Sequence, residues 1–168
     1  MRRLAPDTYY PIAWLKTKRA RRNRTIGVGA GRRTTSVTKH YLDHKEAARG
    51  LIHARLEHFN NHYGLSYKRV AIRNQRRSWG SCTSLGNLNF SYKILFLPPD
   101  LADYIIVHEL CHLKELNHKE RFWNLVAEII PDYSAKRQTL KKYDHLHPFK
   151  LALLARQRIA ENFEPVEM

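Results

Sequence analysis

The sequence predicts an α+β fold: a small antiparallel sheet of about three strands, packed on a histidine-bearing helix and further helices. Two patterns point to it. Short alternating segments fill residues 67–97, and helical periodicity dominates from residue 99 onward, so strands precede helices instead of alternating with them. A length of 168 residues suits one hydrophobic core that needs no disulfide staples.

The first periodic segment is residues 41–63, where Leu42, Ala47, Leu51, Ile52, Leu56 and Phe59 fall near one helical face and Gly64 supplies the stop. Upstream, residues 25–38 alternate weakly around a glycine-rich centre and read as a β-hairpin. "YKRVAIRN" (67–74) alternates Val70 and Ile72 with polar residues, as a half-buried strand does. "RRSWGSC" and "NLNFSYKILFL" read as two more strands, joined through "TSLG" with Gly86 at the turn. "PPD" (98–100) starts a helix, because proline is tolerated in the first turn and an acid suits the positive end. Further helices are predicted over 118–130, 132–143 and, after Pro148, to Phe163. The chain thus divides into a basic N-terminal arm (1–40), a central domain (41–143) and a C-terminal helix and tail (144–168).

Charge narrows the partners. Thirty Lys+Arg against 15 Asp+Glu give +15, and residues 1–40 hold eleven of the bases and one acid, Asp7. Such an arm suits non-specific contact with phosphate backbones, although a solvated tail explains it too, and no base-reading motif is present. No apolar run reaches membrane-spanning length, and the N-terminus lacks the apolar core of a secretory signal. The expectation is a cytoplasmic protein with no membrane partner, whose Cys82 and Cys111 stay reduced.

The chemistry concentrates in "HELCHLKELNH" (108–118). His108 and His112 are one helical turn apart and share a face, which lets two neutral imidazoles grip one ion. Glu109 follows the first of them and points beside the pair, where it can take a proton from a metal-bound water without ligating. With ten His and nine Glu in the chain, about 0.03 chance matches to H-E-x-x-H are expected. His40/His44 and His58/His62 share the spacing but lack the glutamate, so a solvated helix face is the better reading for both pairs.

The third ligand is predicted to be His118, which on an unbroken helix would lie roughly 9 Å along the axis from His112. It reaches the ion only if the helix stops and the chain folds back. Asn117 tolerates the left-handed conformation that ends helices, and "NHKE" (117–120) matches a capping box with Asn117 as N-cap and Glu120 as its partner. Glu115, Glu120 and Glu128 are the rival ligands. Cys111 reads as a packed thiol. Three imidazoles favour Zn2+.

"HELCHLKELNHKERFW" is similar to the zinc-binding segment of the YgjP-like and SprT-like zinc metallopeptidases. Residues 73–109, with W-G-S-C, a hairpin, P-P and then H-E-x-x-H, resemble the stretch that precedes it in YgjP-like proteins, and the likeness covers about 45–143. The resemblance implies a zincin-like fold, His108, His112 and His118 as metal ligands, Glu109 as catalytic base, and zinc-dependent hydrolysis of a protein or peptide. The SprT-like side of it, with the basic arm, implies substrates bound to nucleic acid. The metzincin turn glycine is replaced by Glu115, the N-terminal region is shorter and more basic than the family pattern, and the chain after Tyr143 has no counterpart.

Two other functions fit parts of the pattern. A hydrolase of nucleotide phosphoanhydrides would use the same water, with Arg73, Arg76 and Arg77 on phosphates, but no Gly-rich phosphate loop supports it. A nucleic-acid-binding module with structural zinc would leave Glu109 without a role. For the oxyanion donor, Tyr133, Tyr143, His145 and His147 are the candidates, and residues 87–92 are a candidate for binding an extended peptide by strand addition. Trp79 reads as a core anchor, Gly80 as a point of close approach, and Arg76 or Arg77 as a substrate contact.

Overall fold

The computed structural model describes residues 35–162. Helix α1 (Ser36–Tyr63) opens it, capped by the Thr35 hydroxyl, which accepts from the Thr38 N–H at 3.3 Å. The helix ends on Gly64 at φ 61°, a left-handed position that glycine takes without strain. Of the hairpin expected over 25–38, residues 25–34 lie outside the described residues, and Ser36, Val37 and Thr38 are helical instead. The 40/41 boundary therefore falls within one continuous helix.

The buried stripe of α1 runs His40, His44, Ala48, Ile52, Arg55, Leu56 and Phe59. This corrects the reading of His40 and His44 as a solvated face: each is 8% exposed, while Leu42 is 57% exposed. Apolar residues alone set the predicted face, and two imidazoles belong to the core side. His40 Nδ1 lies 3.1 Å from the Tyr92 hydroxyl, and its ring packs on His44, Phe96 and Phe149. His58 and His62 are exposed, and His62 pairs with Glu128 at 3.0 Å.

Burial, with smaller contributions from neighbours led by His44, pushes His40 down to about 4. Its folded pKa is below the ordinary value of about 6.5, so the unfolded chain takes up a proton that the fold refuses. Stability is therefore full above about pH 6.5 and falls as pH drops toward 4. Thermal melts in excess chelator at pH 7 and pH 5 are expected to differ less for His40→Gln than for the wild type. An identical difference in both would contradict the assignment.

Strands β1 (Arg69–Arg73), β2 (Gly80–Cys82) and β3 (Asn87–Ser91) form a sheet in the order β1-β3-β2. β2 and β3 are the expected antiparallel hairpin, turning at Gly86 with φ 75°. β1 pairs with β3 in parallel, so the sheet is mixed, not antiparallel. Alternation along a segment marks a half-buried strand but does not fix the direction of its partner. The third strand is also shorter than expected, because Tyr92–Phe96 is a buried 3-10 helix.

Helix α2 (Pro99–Cys111) starts with proline in its first turn and Asp100 beside it, as expected. Its Leu101, Tyr104, Ile105, Ile106, Val107 and Leu110 join Ile52, Leu56, Leu88 and Phe90 in one core. Arg55 of α1 holds Asp103 of α2 bidentately, at 2.7 and 2.8 Å, in a largely buried pair that fixes how the two helices cross. Then come α3 (Glu120–Ile129), α4 (Tyr133–Leu140) and α5 (Pro148–Asn162). Leu151 and Ala155 bury α5 in the core. Among the described residues, no helix is long and apolar enough to cross a membrane.

Candidate metal centre

Helix α2 gives way at His112, which keeps right-handed angles (φ −65°, ψ −15°), and the backbone tightens over the following residues. Leu113 N–H donates to Leu110 C=O at 3.0 Å and Lys114 N–H to Cys111 C=O at 3.1 Å, the shorter spacing of a 3-10 turn. The chain then reverses, and α3 begins after Lys119. This is not the corner expected at Asn117. No non-glycine among the described residues has a positive φ, and the N-cap is Lys119 with no side-chain cap bond, so there is no Asn117–Glu120 capping box. Tightened turns reverse the chain without a left-handed residue.

The outcome is nonetheless convergence. His118 Nε2 lies 3.0 Å from His108 Nε2 and 3.1 Å from His112 Nε2, and one ligand nitrogen from each ring lies within 4.8 Å of the others. Tetrahedral zinc with nitrogen ligands at about 2.05 Å sets them about 3.3 Å apart, so the spacing fits. His112 Nδ1–H donates to Glu115 C=O at 3.0 Å, which leaves the Nε2 lone pair facing inward. His118 has at most one Nε2 proton for two neighbouring nitrogens, so without a cation at least one lone pair goes unmatched. A cation satisfies all three.

Burial above all, then the charges of His112, His118 and Arg137, hold His108 down at about 3, neutral and ready to ligate. Of the rival ligands, Glu115 contributes its backbone carbonyl to His112, and Glu128 faces His62. Neither they nor Glu120 join the histidine group. Cys111 is fully buried, and burial pushes its thiol up to about 11. Among the described residues the group has three members, which leaves a tetrahedral site one open position.

Glu109 is 6% exposed, its Oε2 is buried without a partner among the described residues, and burial pushes it up to about 8. Gly80 of β2 explains how it fits. A Cβ there would stand 2.6 Å from Glu109 Cγ and 2.7 Å from Oε1. Gly80→Ala is therefore expected to move the carboxylate and cut activity by about 100-fold, within the usual worth of a placed acid–base group. Metal content should hold. Unchanged turnover in the variant would contradict the contact.

The aromatic floor is what the sequence hid. Phe122 of α3 is fully buried and touches all three imidazoles, stacked on His112 at 4.4 Å and edge-on to His108 and His118 at 4.8 Å. Trp123 stacks on His118 at 5.6 Å and donates its indole N–H to the His118 carbonyl at 3.1 Å, so it holds the corner itself. Tyr104 lies 5.8 Å from the His108 ring. Of the oxyanion candidates, Tyr133 is brought to this wall, stacked on Trp123 at 4.9 Å and 12°. His147 packs on Phe149, which itself touches His40, and no contact ties Tyr143 or His145 to the histidine group.

A family model described as YgjP-like, metallopeptidase domain matches residues 10–143. The chain belongs to the YgjP-like family. Membership makes it a hydrolase of the metallopeptidase class and implies a divalent metal, for which the histidine cluster is the group at hand. Among solved structures, that of the metallopeptidase zymogen of Pyrococcus abyssi abylysin is similar, with 26% identity, 54% of this chain and 93% of that one covered, and a TM-score of 0.49. No curated protein matches. The YgjP-like match begins well inside the basic arm and stops at Tyr143, before α5.

The other sequence candidates lie at the sheet. Trp79 is half-buried and donates to Asp144 at 2.7 Å, with Lys93 Nζ 5.0 Å over its ring, so it fastens the segment before α5 to the sheet. Arg73, Arg76 and Arg77 are exposed, and among the described residues none forms a hydrogen bond or ring contact with the histidines. Residues 87–91 cannot accept an added strand, since β3 is paired on both sides; β2 is the sheet edge beside Glu109.

Proposed function

We propose that this YgjP-like protein is a zinc-dependent peptidase in which His108, His112 and His118 hold the ion through Nε2 and Glu109 is the general base. The observation that carries it is the meeting of three imidazole nitrogens on a site whose first histidine is followed directly by the buried Glu109. Zinc bound there would lower the pKa of a water to about 7 and polarise the scissile carbonyl. Glu109 takes the proton of the attacking water and returns it to the leaving amine. Its ionised form would be favoured by a cation on the imidazoles, against the upward push of burial. The substrate backbone lies along the open edge of β2, as an added strand. Loading with zinc should yield chelator-sensitive cleavage of an unfolded protein; a zinc-loaded chain that cuts no peptide bond contradicts the reading.

The proposal extends to substrates associated with nucleic acid in a reducing, cytoplasmic setting. The sequence has no acid between Glu57 and Asp100, and in that stretch Lys68, Arg69, Arg73, Arg76 and Arg77 are all exposed. Both cysteines are unbridged. Residues 1–34 of the basic arm, outside the described residues, add to that charge. Duplex binding should weaken steeply with salt, and cleavage of a DNA-bound protein should rise when duplex is added. No binding at low salt would remove this part alone.

A further inference from the structure

We propose that Arg137 selects the substrate, by binding a carboxylate that the peptide carries close to the bond being cut. The inference rests on the peptidase reading and adds a recognition element to it. Arg137 sits one helical turn after Tyr133 in α4, so the two side chains share a face. Both land on Trp123: the phenol ring stacks at 4.9 Å, and the guanidinium carbon lies 5.4 Å from the indole centroid. The same indole lies 5.6 Å from the His118 ring and 5.9 Å from that of His108. One aromatic ring therefore separates a fixed positive charge from two of the three histidines.

The neighbouring cation is already engaged, since Lys136 Nζ lies 3.0 Å from Asp100 and 3.1 Å from Asp132. Arg137 has no ion pair with a carboxylate among the described residues, and it is exposed. Glu109, the carboxylate of the site, is buried against Gly80. A guanidinium placed by a ring and left without a counter-ion offers a fork that fits a carboxylate on two oxygens. For a peptide substrate that group is either an acidic side chain or the free C-terminus.

The test uses the full zinc-loaded chain and fluorogenic peptides that share one scissile bond. One series carries Glu, Gln or Lys near that bond, and a second ends in a free or an amidated C-terminus. The wild type should prefer the carboxylate-bearing member of one series, and which series responds identifies the source. Arg137→Gln should raise KM for that peptide by about ten-fold, the worth of one charge-assisted contact, with kcat and the neutral peptides little changed. Arg137→Lys should recover part of the preference, and Arg137→Glu should reverse it toward the Lys peptide. An equal fall in kcat for every peptide, or no change for any, overturns the proposal. Peptide binding to Glu109→Gln chains with and without Arg137→Gln reads the same preference without turnover, so it stands or falls separately from the peptidase reading.

Discussion

Glu109→Gln is expected to lower kcat for peptide cleavage by about 1,000-fold, within the worth of a positioned general acid–base group, while zinc binding is kept. Glutamine matches the carboxylate in size, so it fits against Gly80, where a Cβ would already stand 2.6 Å from Cγ. It cannot accept the proton of the attacking water. The change also replaces a carboxyl whose Oε2 is buried and unpartnered by a neutral amide, so the variant is expected to fold at least as well as the wild type. Cleavage rates and metal analysis on one preparation check both halves. A variant that keeps zinc and also keeps most of its turnover would remove Glu109 from the chemistry.

Phe122→Ala carries the largest expected effect on stability. The ring is fully buried beneath all three imidazoles, at 4.4 to 4.8 Å. Removing it costs about 3–5 kcal/mol, part transfer and part cavity. For a chain of this size that lowers the melting temperature by about 6–20 °C. The same change loosens the orientation of the histidines, and supporting groups of this kind are worth about 10- to 100-fold in metal affinity. Phe122→Leu keeps an apolar floor and should fall between. Melting in excess chelator separates packing from metal; an unshifted melt there would contradict the packing role.

The pattern of the site was legible in the chain because i,i+4 spacing on a helix is a geometric statement, and His108, Glu109 and His112 obey it. His118 was legible only as a conclusion. The reversal that brings it in was assigned to a left-handed Asn117, whereas it is made by turns tightened at His112 and Leu113. Glycines at helix and hairpin ends were readable at Gly64 and Gly86, where φ is positive. Other features depend on partners distant in sequence. Nothing local says that β1 runs parallel to β3, or that Gly80 meets Glu109 across the fold. An amphipathic "FWNLVAEI" announces a buried face but not that Phe122 and Trp123 bury it against histidines. His40 and His44 were misplaced for the converse reason, because polarity along a helix signals exposure unless a hydroxyl such as that of Tyr92 waits inside.

The measurement that bears most directly on the whole scheme is zinc stoichiometry and affinity, by competition with a chromogenic chelator, for the wild type and His118→Ala. Convergence of the three Nε2 atoms predicts one zinc per wild-type chain and at least about a 100-fold loss of affinity in the variant. The metal-free melts should stay close together, since His118 is exposed and lies outside the core. A His118→Ala chain that holds zinc as tightly as the wild type would contradict the three-histidine centre.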